Sequence, residues 1–134
     1  MIMENEDLFG VLFLIDSFKK LDCRKRLQKS VCIGKYDKQI GYPFSFDFIR
    51  FHYGPYSFDL KNLMDKLVLG GYIKEDFGLG KYSYSLTGEG TNLFNELQKK
   101  MGQDKLNKLN LLVANIKGKN VSELTQKAKT DFNW

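Results

Sequence analysis

Two cysteines, one histidine and a few serines have the most scope for nucleophilic, acid–base or metal chemistry in this sequence. Cys23 and Cys32 fall in one helical region, too far apart along it to bridge, and with His52 they supply too few ligands for a structural metal site. Both read as free thiols, Cys32 as a small buried hydrophobe. His52 lies within an alternating aromatic run, where a structural role outweighs a catalytic one. Ser57 suits a helix cap and Ser85 a strand. No Walker-type glycine–lysine run occurs, and Gly78-Leu79-Gly80 reads as a hairpin tip rather than a phosphate loop. The expectation is a binding protein with no metal or cofactor, not an enzyme.

Charge is informative by position. The chain of 134 residues carries a net +5, with an isoelectric point near 9.1. Residues 1–97 balance 13 basic against 13 acidic side chains, so the 8 lysines and 3 acids of residues 98–134 carry the whole excess. A second basic cluster, Arg24, Lys25, Arg26, Lys29, Lys35 and Lys38, is offset by the acids before it. The apolar run Leu8 to Ile15 is too short to span a bilayer. It follows acidic Glu4, Glu6 and Asp7, not the basic flank of a signal peptide. A soluble cytoplasmic protein is expected.

These residues must be positioned by one domain over 1–134, with a core at 1–101 and a helical extension at 102–134. Leu8, Val11, Leu12, Ile15 and Phe18 keep helical spacing and predict a buried helix over about Asp7–Lys20. Asp22 is a candidate N-cap for a second helix over Arg24–Gln39, with Leu27 and Val31 inward and the basic residues outward. Phe44 to Tyr53 alternates as a strand. A shift of phase at Phe48-Ile49 predicts a bulge that returns Ile49, Phe51 and Tyr53 to the inner face. Gly54 to Ser57 reads as a turn, with Gly54 strained and both Tyr53 and Tyr56 buried.

Ser57 then caps a third helix to Leu69, lined inward by Leu60, Leu63, Met64 and Leu67. Strands Tyr72–Phe77 and Tyr82–Leu86 flank the glycine tip. Thr87 caps a fourth helix to Met101. An amphipathic helix follows over Asp104–Lys117, then a last short helix behind the Asn120/Glu123 capping box.

Helix, helix, strand, helix, hairpin, helix is the order of a winged-helix domain. The fold expected is α+β, mainly helical, with a small three-stranded antiparallel sheet in which the strand at Phe44–Tyr53 pairs with the hairpin. Tyr84-Ser85-Leu86-Thr87-Gly88-Glu89-Gly90 resembles the element closing the wing in MarR- and PadR-type regulators. Lys25-Arg26-Leu27-Gln28-Lys29, His52-Tyr53-Gly54-Pro55-Tyr56-Ser57 and the run Leu67–Ile73 resemble an uncharacterised YwgA-like family and, more distantly, the Panacea antitoxin domain. The resemblance implies a winged-helix fold and regulatory or antitoxin-like work.

Two functions follow, the first a DNA-binding regulator and the alternative a protein-interaction module. A DNA-binding transcriptional regulator would use Arg24, Lys25, Arg26, Lys29, Lys61, Asn62, Lys66 and Lys81 on double-stranded DNA. A protein-interaction module, antitoxin-like or an adaptor, would use Phe58, Asn62, Asp65 and Leu69. On the outer face of the third helix two lysines meet two aspartates, and an exposed Phe and Leu suit a protein partner better than a major groove. The stripe Leu106, Leu109, Leu112, Val113 and Ile116 must be buried within the chain or in a homodimer, and the dimer is expected.

Overall fold

The computed structural model describes residues 5–134; Glu4, counted in the acidic flank above, lies outside them. Helix α1 (Asn5–Phe18) buries Phe9, Val11, Leu12, Leu14 and Ile15 completely. It stops short of Lys20 because Lys19 takes a left-handed conformation, φ 61°, and turns the chain. Leu21 then exchanges both backbone hydrogen bonds with Tyr84, at 2.8 Å each.

Helix α2 (Arg24–Tyr36) begins behind Cys23. The expected cap, Asp22, instead pairs with Arg26 one turn on, at 2.7 Å. The helix ends before Gln39, since the Asp37 carboxylate accepts the Gln39 N–H at 2.8 Å and closes a turn there.

The expected strand at Phe44–Tyr53 is a correction. Tyr42, Phe44, Phe46 and Phe48 are buried alternately, yet residues 42–48 pair with no strand. Side chains hold that backbone instead. The Ser45 N–H donates to Asp7 at 2.7 Å, and Lys35 Nζ donates to the Phe46 carbonyl at 2.5 Å. Alternation here records burial against the helices, not pairing. Phe44 lies so close to Gly10 that a Cβ there would come within 2.5 Å of its ring, and the same ring crowds Gly34.

Pairing begins only at β1 (Ile49–Phe51), joined to β2 (Gly54–Tyr56) by a two-residue turn at His52-Tyr53. The turn therefore precedes Gly54 rather than starting there. Gly54 takes φ 147°, a conformation that side chains disfavour, as expected. Ser57 caps α3 (Phe58–Leu69) by accepting the Leu60 N–H at 3.2 Å. Strands β3 (Ile73–Gly78) and β4 (Lys81–Leu86) form the glycine-tipped hairpin. Thr87 caps α4 (Gly88–Gln98), which ends before Met101. The architecture is α+β and mainly helical, but the three-stranded sheet does not form. Two separate two-stranded antiparallel sheets stand in its place, β1-β2 and β3-β4.

Helices α5 (Gln103–Ile116) and α6 (Val121–Asp131) complete the core, the latter behind the Asn120/Glu123 capping box. Leu109, Leu112 and Ile116 are buried, and so are Leu124 and Ala128. Helix α5 packs on α1 and α2, and α6 on α2. Three residues of the apolar stripe that motivated a homodimer, Leu109, Leu112 and Ile116, are thus covered within the chain, while Leu106 and Val113 stay partly exposed. Among the described residues, no helix is long and apolar enough to cross a membrane.

Candidate docking surface at the first hairpin

The site is built by two neighbouring side chains of α2. Gln28 reaches the start of α3, donating to the Ser57 carbonyl and accepting the Ser57 N–H, both at 2.8 Å. Lys29, only 3% exposed, donates from Nζ to the Pro55 carbonyl at 2.7 Å. Together they clamp β2 against α2. The short strings around residues 25–29 and 52–57 are therefore one structural unit, each completing the other's hydrogen bonds.

That clamp aims the hairpin's aromatics outward. Tyr53, expected in the core, is 74% exposed. Ile49 and Phe51 also face solvent, so the phase shift at Phe48-Ile49 marks a switch of face rather than a bulge restoring the inward side. Phe51 lies 5.2 Å from Tyr56 and 5.4 Å from Phe58, and Tyr56 lies 5.0 Å from Phe58, ring centre to ring centre. Such spacings are those of mutually stabilising aromatic rings. His52 stands at the turn against Phe51, at 4.3 Å. The Lys25 ammonium sits over the Tyr53 ring at 5.3 Å. Between the hairpin and α2 opens a cleft of ≈ 390 Å³ walled by Phe51, Tyr53 and Tyr56, with Lys25 and Lys29 on its α2 side.

Several of the residues assigned to DNA are held in contacts within the chain. Arg24 turns inward to the Asp65 carboxylate at 2.6 Å, the Tyr84 hydroxyl at 3.1 Å and Glu75 at 3.4 Å. Arg26 pairs with Asp22 and donates to the Lys119 carbonyl at 2.7 Å. Lys29 is buried, which corrects the expectation that the basic side chains of α2 all point outward. Lys61 pairs with Asp65 at 2.9 Å. Hydrogen bonds from Lys61 and Arg24 hold the Asp65 carboxyl below its usual range. Lys25, Lys66, Lys81 and Asn62 remain exposed or partly exposed, with no ion pair among the described residues at the three lysines.

Of the residues assigned to a protein partner, Phe58 is 46% exposed and belongs to the aromatic cluster. Leu69, 88% exposed, stands at the far end of α3, about 16 Å along the helix axis. A second apolar projection lies at the β3-β4 tip, where Leu79 is fully exposed with φ 54°, and Phe77 and Tyr82 pair at 4.7 Å beside it.

Reading the sequence missed Phe51, Tyr53, Tyr56 and the cleft. The usable signal was the broken alternation at Phe48-Ile49. Compared with models of protein families, with curated proteins and with solved structures, the chain matches none.

Proposed function

We propose that this chain is a protein-interaction module on a winged-helix-like scaffold, antitoxin-like or an adaptor, that docks its partner through the β1-β2 hairpin and Phe58. One observation carries this reading: Phe51 and Tyr53 of the hairpin and Phe58 at the start of α3 face solvent, on backbone clamped by buried hydrogen bonds from Gln28 and Lys29. Aromatic side chains already fixed in place lose little entropy on association, and they dominate the energetics of protein interfaces. The kinship with winged helices is supported by Leu21, whose bridge to Tyr84 puts a third chain segment against the β3-β4 hairpin.

The experiment is capture of partners from a lysate by wild type and by the double variant Phe51→Ser, Phe58→Ser, with thermal melting as the control for folding. The partner should be lost from a variant that still folds. A partner retained in full by the folded variant would overturn the reading.

Binding of double-stranded DNA by a regulator is the second reading. It is favoured by Lys66 and Asn62 on α3 and Lys81 near the hairpin tip, all exposed. Four of the eight residues assigned to it, Arg24, Arg26, Lys29 and Lys61, are engaged by other groups of the chain, which leaves few cations for phosphates.

A further inference from the structure

We infer that the cleft between α2 and the β1-β2 hairpin is a binding site for a carboxylate carried on an apolar stem, presented by an acidic segment of a partner protein. This rests on the protein-partner reading above and names the chemistry that the partner brings.

The walls and the floor ask for different halves of such a ligand. Phe51, Tyr53 and Tyr56 offer apolar faces, and Gly54, without a side chain, lets the Lys29 ammonium pack directly beneath the hairpin, where a Cβ would lie 3.2 Å from Nζ. At the α2 side lies the Lys29 ammonium, which has three N–H donors. Among the described residues its one acceptor is the neutral Pro55 carbonyl, and among them no carboxylate forms an ion pair with it. Lys25 stands at the rim over Tyr53, likewise without an acidic partner among the described residues. His52 adds an imidazole, and no acidic side chain lines the cleft. A buried cation without a counter-ion is costly, and an incoming anion relieves that cost. The volume, ≈ 390 Å³, falls at the small end of ordinary ligand sites and suits a few side chains rather than a folded surface.

The electrostatics of the site agree with this geometry. Burial pushes the Lys29 ammonium down to about 8, with Lys25 on α2 and Lys129 on α6 adding to the effect and Cys32 on α2 opposing it. His52, Tyr53 and Tyr56 are the titratable groups that line the cleft from the hairpin, and Arg24 is a further cation lining it from α2. A bound carboxylate favours the charged ammonium, so binding draws on the protonated form and weakens as pH rises above about 8.

The test titrates the full-length protein with the blocked tripeptide acetyl-Phe-Glu-Phe-amide, its glutamine counterpart and free hydrocinnamate. The resonances of His52, the one histidine of the chain, report binding. The glutamate tripeptide should bind about tenfold or more tightly than the glutamine one. That preference should vanish in Lys29→Met. Equal binding of the two tripeptides, or binding of neither, overturns the site. Hydrocinnamate binding without the glutamate tripeptide assigns the cleft to a small acid and overturns the partner source. If melting shows that Lys29→Met does not fold, the exposed pair Lys25→Ala, Tyr53→Ser replaces it, and an unchanged glutamate preference there overturns the proposal. The titration needs no partner, so its failure is distinct from failure of the capture experiment.

Discussion

Gln28 and Ser57 are joined by two hydrogen bonds of 2.8 Å that run in opposite directions between one side-chain amide and one backbone residue. Both residues are buried. Replacing Gln28 by Ala leaves the Ser57 N–H without a partner in a dry environment and its carbonyl with the Lys61 N–H alone, at 3.2 Å. The loss should be about 1–3 kcal/mol, read from the denaturant midpoint. The hairpin would also lose one of its two attachments to α2, so the His52 resonances should broaden in a variant that remains folded.

Lys29 gives stability an unusual dependence on pH. Its folded value, about 8, lies below the ordinary 10.5. The unfolded chain therefore binds more protons between those values, and stability rises with pH there, by at most about 1.4 kcal/mol per pH unit. Cys32 acts oppositely. Burial raises its thiol from 9.0 to about 12, so the unfolded chain loses a proton first and stability falls as pH passes 9. A rise from about 8 to 9, flattening above, is the expected profile. Lys29→Met should abolish the rise, and denaturation midpoints at closely spaced pH values would reveal it.

The C-terminal helices should behave as core. Leu112 is fully buried on α5 and lies against Gly34 of α2. Leu112→Ala should cost about 3 kcal/mol through lost burial and the cavity left behind. A loss below about 1 kcal/mol by chemical denaturation would mean that α5 does not pack as described.

Leu79 is the reverse case, an apolar residue in a left-handed conformation with no contact to hold it. Asn suits that conformation better, so Leu79→Asn should raise stability by about 0.5–1 kcal/mol in a thermal melt. Destabilisation would show that Leu79 packs on something in the free protein.

Local chemistry was legible in the sequence wherever one side chain acts on a nearby backbone. The Ser57, Thr87 and Asn120 caps, the glycine-tipped hairpin and the inner stripe of α3 were all read from spacing. What was not legible depends on distant partners. Alternation at Tyr42–Phe48 looks the same whether a strand is paired or merely lies on helices, and only the Asp7 and Lys35 contacts decide between them. Arg24 and Lys29 read as surface cations because Asp65 and Pro55, which take them inward, are 41 and 26 residues away. The cleft was missed for the same reason, since its two walls meet through the Gln28–Ser57 and Lys29–Pro55 contacts, 29 and 26 residues apart in the chain.

Isolation of the tagged protein from its own cells at low salt, with bound protein and bound nucleic acid both quantified before and after nuclease treatment, is the most direct test of whether the hairpin serves a protein partner. The account expects a protein present in proportion to the tagged chain, unaffected by nuclease and absent from the Phe51→Ser, Phe58→Ser variant. Recovery of double-stranded DNA with no nuclease-resistant protein would contradict it.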